Sequence, residues 1–500
     1  MAEEVNNTDQ KSSYRSIFKA TSLFGGVKFF EIIISILKSK IVAMLIGPTG
    51  VGFNGLLASG SSLIQSATQL GLGQSAVRDV SEAYGSNNQL KINRTITTLR
   101  KLVWVTGLLG MLCMIAFSPI LSKSSFGNSD YIIAFICISI TLLCNQLTAG
   151  QSALLQGTRK LKLLAKSSII GQLIGFVVCI PMYYFWGMKG VIPVMIIGSF
   201  TSLALSWYFA RKVQYQPVKM SFKEVFREGG NMLKMGIAMS VSGILVALSS
   251  YILRSFISNH GGLEEVGLYQ AGFAIMTSYV GLVFSAMGTD YYPRLSSVNK
   301  DNAKCRELMN QQGEIGILIL APLMIICIVF IPIIVWILYS DKFMGANDYI
   351  VWAASGILFK MASWAISFIF VAKGESKLFI INETTVNIYS LGFQLLGYQM
   401  WGLAGIGAGY SLCLLVYFIQ VYIIAHKRYG FSFLPTFTKP FIMQSLLLAL
   451  GVATILLIDT LWIKYSIGVM VIGLSVWLSL TGLERRIGLI QAIKGKRFQK

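Results

Sequence analysis

The sequence is short of charge, of acid and of histidine. Only 13% of its 500 residues are charged, Asp and Glu together number 21, and there are two histidines. So little charge beside 54% hydrophobic residues excludes a sizeable soluble domain, which needs a polar surface. His260 and His426 both fall at the edges of apolar runs, and no histidine-based metal or acid–base centre is expected. The seven cysteines show no CxxC and no Cys/His spacing. Cys113, Cys137, Cys144, Cys179, Cys327 and Cys413 lie inside apolar runs, while Cys305 stands in a polar stretch with no partner nearby. Disulfides and metal ligation are therefore not expected, and the thiols read as small core residues. GLAGIGAG at 402–409 has Gly-x-Gly spacing, but no strand precedes it and no phosphate-binding lysine follows. It reads as close helix packing or a tight hairpin. No nucleophile–base constellation is found, so no enzyme is expected.

What the sequence does have is apolar runs of roughly 20 residues or more, each long enough to cross ~30 Å of hydrocarbon, and mean hydropathy is +0.66. The reading is an all-α polytopic membrane protein of about fourteen spans. The first, 17–46, follows a polar segment 1–16, exceeds a signal peptide in length and lacks a small-residue cleavage site, so it is expected to be retained. Net charge is +21, which could suggest nucleic acid, but its distribution argues otherwise. With the N-terminus inside, only Lys123, Lys189, Lys342 and Lys464 lie on the far side. The near side holds the Arg159/Lys160/Lys162/Lys166 cluster, the 211–234 loop and the C-terminal GKRFQK. This asymmetry is the positive-inside pattern, and it predicts both chain ends in the cytoplasm. The basic excess is a topology signal with some attraction for anionic headgroups.

An internal duplication organises the spans. FWGMKG near 186 matches MWGLAG near 401, aligning Trp186 with Trp401, Gly187 with Gly402 and Gly190 with Gly405, all 215 positions apart. The same offset carries VGF at 51–53 onto VGL at 266–268, Gly73 onto Gly288, Ser81 onto Ser296 and Tyr183 onto Tyr398. One constant offset over so long a stretch marks a repeat. The expected plan is a cytoplasmic segment 1–16, an N-lobe 17–210 of spans 1–6, a cytoplasmic loop 211–231 and a C-lobe 232–425 of spans 7–12. Spans 13–14 (440–483) and a basic cytoplasmic tail (484–500) follow. An even number of spans per repeat keeps both lobes in one orientation, the parallel-repeat plan of a two-lobed transporter.

Polar residues concentrate in symmetry-related spans. Span 1 carries Lys28, Glu31, Ser35, Lys38 and Lys40; span 2 (52–78) carries Asn54, Ser59, Ser62, Gln65, Ser66 and Gln69, with Arg78 at its inner end. Their counterparts, span 7 (232–257) and span 8 (265–290), carry Tyr251 and Arg254 with several serines, and Gln270, Thr277, Ser278 and Tyr279. Lys360 stands midway along span 10 (348–372), and Glu383 lies in span 11 (378–400). Positions 28, 31, 35 and 38 step by three and four and so share one helix face, whereas Lys40 points elsewhere. A centrally placed charge costs about 2.5–3.5 kcal/mol on insertion scales, so these residues call for partners or a watered cavity. Lys28 either meets a ligand or only pairs with Glu31, and Lys40 and Arg254 also fit as cations reaching the outer interface. Surplus cations with hydroxyl and amide faces suit an anionic ligand such as a phosphate or pyrophosphate, or acidic sugars, and suit an organic cation badly.

The N-terminal pattern AMLIGPTGVGFNGLLAS (43–59), followed by QLGLGQSAVRDVSEAYGSNN (69–88), resembles the start of Wzx-type O-antigen flippases. These belong to the polysaccharide-transport branch of the multidrug/oligosaccharidyl-lipid/polysaccharide superfamily. With the WG-x-x-G hairpins and the six-plus-six repeat, the resemblance covers essentially the whole chain. It implies a bacterial inner-membrane protein that flips undecaprenyl-pyrophosphate-linked oligosaccharide from the cytoplasmic to the periplasmic leaflet by alternating access. Lys28, Lys38, Arg254, Lys360 and Arg78 are the expected cargo-binding cations, and Ser35, Gln65, Gln69, Tyr251 and Gln270 the expected polar lining. Glu31 and Glu383 are the candidates for ion coupling or charge pairing. No resident cofactor or metal is expected beyond a proton or sodium ion, and the partners are the lipid-linked glycan, membrane lipids and glycan polymerase or assembly proteins. Many O-antigen flippases have twelve spans, whereas fourteen matches lipid II flippases, which stand as the alternative. The arginine-rich N-terminal signature of the lipid II type is missing. A multidrug cation antiporter would need more buried carboxylates than Glu31 and Glu383. A membrane scaffold would not need Lys38 or Lys360 at all.

Overall fold

The computed structural model describes residues 2–86 and 88–487, without the side chains of 2–30, 32, 238, 239, 279, 282, 286, 289, 376 and 487. By contacts the chain divides into two compact units, one ending at Gly267 and the other starting at Leu268.

The first unit contains α1 (Ala2–Thr68), α2 (Leu72–Gly85), α3 (Gln89–Phe126), α4 (Ile132–Gly157), α5 (Leu161–Trp186), α6 (Val191–Ala210), the short α7 (Phe222–Glu228) and the first part of α8 (Gly230–Ser297). Span 2 was expected to run unbroken over 52–78, but α1 ends at Thr68 and the chain turns through Leu70 and Gly71, both at positive φ, into α2. The reason is packing: a Cβ at Gly71 would lie 2.1 Å from the Gly236 carbonyl oxygen of α8, so the backbones meet where a continued helix could not. Arg78 thereby sits on α2, beyond the end of the span. Asn88 caps α3 by accepting from the backbone N–H groups of Leu90 and Lys91. Ser221 and Glu224 form a reciprocal capping box on α7. Two apolar clusters hold this unit: Leu72, Ile96, Leu99 and Leu154 belong to one, Phe53, Leu57, Phe135 and Ile138 to the other.

The second unit holds the rest of α8, then α9 (Asn302–Val329), α10 (Ile331–Leu338), α11 (Ala346–Ser355), α12 (Ile357–Ala372), α13 (Ser376–Tyr429), α14 (Pro435–Leu457) and α15 (Leu461–Ile487). The expected span 10 is bent by 47° between α11 and α12. The bend falls at Gly356, where a Cβ would meet the Ser411 Cα at 2.7 Å, and Ser411 Oγ donates to the Trp352 carbonyl at 2.5 Å. The last two helices are pinned by polar contacts. Gln444, fully buried on α14, donates to the Ser475 carbonyl (3.1 Å) and to Ser479 Oγ (3.0 Å) of α15. Arg486 of α15 donates to Glu314 of α9 at 3.0 Å.

Four glycines interrupt long helices, and they fall in pairs. Gly47 (φ 64°, ψ −174°) breaks α1 and Gly262 (φ 80°, ψ −178°) breaks α8. Gly187 (φ 52°, ψ −131°) separates α5 from a short 3₁₀ turn, and Gly402 (φ 58°, ψ −137°) breaks α13. Each pair is 215 positions apart and shares one conformation in the left-handed φ region, where a side chain is strained. Arg159 and Gly374, again 215 apart, are both at positive φ. The following amides also match: Lys160 N–H donates to the Leu155 carbonyl at 2.9 Å and Glu375 N–H to the Phe370 carbonyl at 2.8 Å. A Cβ at Gly52 would lie 1.9 Å from the Leu263 carbonyl oxygen, and one at Gly267 would lie 1.9 Å from that of Pro48.

Among the described residues, nine helices are long and apolar enough to cross a membrane, or ten if the bent α11–α12 pair forms one. The chain is a multi-pass helical membrane protein.

Candidate functional site

In the second unit α12 and α13 bring Lys360 and Glu383 to one cavity of about 440 Å³. Lys360 is half-buried on α12, and its Nζ donates to the Tyr410 hydroxyl at 3.1 Å. The ammonium lies 5.7 Å from the Phe284 ring centroid and 5.9 Å from that of Tyr410. Each aromatic face offsets part of the insertion cost by about 0.5–2 kcal/mol. Glu383 is half-buried on α13, and its carboxylate makes no hydrogen bond or ion pair with a described residue. Its neighbours brace the helix around it. Asn382 is 1% exposed, donates to the Tyr417 hydroxyl at 3.1 Å and accepts from Gln420 Nε2 at 2.6 Å, tying together the two halves of α13. Asn387 Nδ2 donates to the Glu383 backbone carbonyl at 2.7 Å. Gln270, on α8, is half-buried.

In the first unit Glu31 accepts from Ser168 Oγ of α5 at 2.5 Å. The expected Lys28–Glu31 pairing lies outside the described residues, because the Lys28 side chain does. Ser35 is exposed, and Lys38 is half-buried without a hydrogen bond or ion pair to a described residue. Gln65 and Gln69 are half-buried at the end of α1, and the Gln69 carbonyl accepts from Gln146 Nε2 of α4 at 3.5 Å. Tyr251 is buried, and its hydroxyl is shared with Ser124 (2.5 Å) and Ser125 (3.0 Å) of α3, so it clamps α8 to α3. Arg254 is 6% exposed and bonds back to Ser250, through both its hydroxyl and its carbonyl.

Arg78 stands apart, in a polar cavity of about 750 Å³ formed by α2, the start of α3, the end of α7 and the start of α8. Two ion pairs cross it: Lys91 to Glu82 at 2.9 Å and Arg94 to Glu228 at 2.8 Å. Arg78 Nη1 contacts Met235 Sδ at 3.0 Å. Lys91's hydrogen bond and charge hold the Glu82 carboxyl below its ordinary range. Burial pushes the Asp79 carboxyl up, against the opposing pull of Arg78.

The sequence reading did not single out Trp364, Asn387 or Tyr410, which also line the α12–α13 cavity. Helical spacing held a signal, since 360, 363, 364 and 367 share one face of α12 and 383, 387 and 390 one face of α13.

Long apolar helices with charged and aromatic groups converging inside them define a polytopic membrane protein with hydrophilic sites between its spans. A family model described as polysaccharide biosynthesis protein matches residues 18–348, and the chain belongs to that family. It is 21% identical over 415 residues to the lipid III flippase of Escherichia coli K12, covering 81% of this chain and 96% of the relative. It is 24% identical over 357 residues to a candidate O-antigen transporter of Shigella flexneri, covering 69% and 82%. Among solved structures, the lipid II flippase MurJ in its inward closed conformation superimposes with TM-score 0.71 at 13% identity, covering 93% of this chain and 99% of that one. An inward-facing MATE family multidrug transporter of the MOP superfamily superimposes with TM-score 0.66 at 14% identity, covering 80% and 94%. The fold is that of this superfamily.

Proposed function

We propose that the protein is a flippase, not an enzyme, and moves undecaprenyl-pyrophosphate-linked oligosaccharide from the cytoplasmic to the periplasmic leaflet of a bacterial inner membrane. The observation that carries the reading is cationic side chains held inside the spans of a chain from the polysaccharide biosynthesis family: Lys360 braced by Tyr410, and the half-buried Lys38. Ammonium groups at that depth suit the pyrophosphate of a lipid-linked glycan. Arg254 and Lys28 join the same cationic set, and Arg78 receives the head group at the cytoplasmic end. The names of the relatives, a lipid III flippase and a candidate O-antigen transporter, support a glycolipid cargo.

The architecture behind this reading is two six-span lobes in parallel repeat plus two added spans, with both chain ends in the cytoplasm. The matched glycine breaks support it: cut at Gly47, Gly187, Gly262 and Gly402, the ten candidate spans become fourteen. The two lobes move the cargo by alternating access, and α14, with α11 and α12, offers an apolar groove of about 450 Å³ that suits the prenyl tail. A charged cargo also responds to the membrane potential at about 2.3 kcal/mol per charge per 100 mV. Glu31, already hydrogen-bonded by Ser168, is the candidate to carry a coupling proton or sodium ion. A second reading, lipid II as cargo, is favoured by the 93% coverage of the chain by the MurJ fold.

Complementation separates these readings. The gene is expressed in strains lacking an O-antigen flippase, the lipid III flippase or the lipid II flippase, and the repaired export defect names the cargo class. Repair of none of them, with the protein present in the membrane, overturns the proposal.

A further inference from the structure

We propose that the α12–α13 cavity is a sugar-ring subsite, which rests on the glycolipid reading above. Its volume of about 440 Å³ lies within the roughly 300–1,000 Å³ of small-molecule sites. Its chemistry is unusual for a packed membrane interior, because two ionisable side chains of opposite type line it: the amine of Lys360 and the carboxyl of Glu383. An acyl chain would leave both groups desolvated, whereas a ligand that carries hydroxyls beside its phosphate engages Glu383 as well as Lys360. A neutral polyhydroxylated ligand satisfies both, since each hydroxyl can donate to the carboxylate and accept from the ammonium.

The hydrogen-bonding capacity inside the cavity is already sorted. Ser363 and Ser367 donate back to the carbonyls of Lys360 and Trp364, so these two hydroxyl protons are already used. Open capacity is left on the Glu383 carboxylate and on the Lys360 ammonium, which has used one of its three donors on Tyr410. A carboxylate accepts two O–H groups side by side, which matches neighbouring hydroxyls on a ring. The α12 face that carries Lys360 is also aromatic. Trp364 is half-buried and braced edge-on by Phe284 (5.1 Å) and Phe368 (4.8 Å). The negative face of an indole held this way attracts the polarised C–H groups on one side of a sugar ring. One rim of hydroxyls and one C–H face are what this cavity offers to recognise.

The test uses the full chain in nanodiscs and saturation-transfer NMR, with glucose, galactose, N-acetylglucosamine and rhamnose as probes. At least one probe is expected to receive saturation from the wild type. Its affinity is expected to fall about tenfold in Glu383→Gln, the loss of one charge-assisted hydrogen bond, and saturation is expected to vanish in Trp364→Leu. Trp364→Phe keeps an aromatic face and is expected to keep binding, which separates loss of the face from loss of the fold. No transfer to the wild type, or equal transfer in Glu383→Gln and Trp364→Leu, overturns the subsite. A wild type that repairs glycan export yet contacts no sugar refutes the subsite and leaves the flippase reading standing. A chain that binds sugar through Glu383 and Trp364 but repairs no flippase-deficient strain does the reverse.

Discussion

Lys360 shows how a single residue becomes usable inside a membrane. Its stem is held on α12, its ammonium donates to Tyr410, and two aromatic rings face the charge. Replacing Lys360 or Lys38 with alanine is expected to lower glycan export about tenfold or more, since a hydrogen bond to a charged group contributes roughly 1.5–3 kcal/mol. The readout is surface glycan in a complemented strain with membrane protein levels matched; undiminished export in both variants would favour a scaffold role. Asp79 makes a different prediction. Burial raises its carboxyl above the ordinary 3.8, so the folded state holds its proton more tightly than the unfolded one. Stability then declines as pH rises from that value through the folded one, because the native carboxylate is the disfavoured form. Asp79→Asn is expected to raise the melting temperature at pH 7 and to bring no gain below pH about 3.8, followed by thermal melting in detergent.

Helix pairs depend on places where backbones touch. Gly52 and Gly267 each face a carbonyl oxygen at a distance no Cβ can occupy. Gly52→Ala and Gly267→Ala are each expected to destabilise by about 1–3 kcal/mol through forced separation of the two helices, measured as lowered melting temperatures. Comparable losses are expected at both positions, because each Cβ would meet a carbonyl oxygen at 1.9 Å. The Tyr251 clamp between α8 and α3 is a second element-scale contact, and Tyr251→Phe removes a hydroxyl shared with Ser124 and Ser125. That change is expected to cost about 1 kcal/mol, read by the same melting experiment.

At the scale of the whole molecule, α14 and α15 are joined to each other through Gln444 and to α9 through Arg486. Deleting them is expected to abolish export, because the apolar groove that α14 completes with α11 and α12 suits the prenyl tail. Full export by a truncated chain that still reaches the membrane would remove the groove from the mechanism. Reporter fusions at both ends are expected to read cytoplasmic, following the bias of lysine and arginine.

Much was legible without coordinates. Hydrophobic run length is a property of local composition, so the multi-pass helical class followed from the chain itself. The matched turns at Gly187 and Gly402 were legible through WG-x-x-G at 186 and 401, because the same turn demands the same glycine. The break at Leu70–Gly71 was not, since it arises from close approach to Gly236 on another helix. Nor was the bend at Gly356, which depends on Ser411. Lys360 and Glu383 could be named from their depth in apolar runs. Their meeting in one cavity, with Trp364 and Tyr410 around them, was decided only by how α12 packs on the two halves of α13. Charge and length are written along the chain, whereas a site is made by residues distant in sequence, and only packing brings those together.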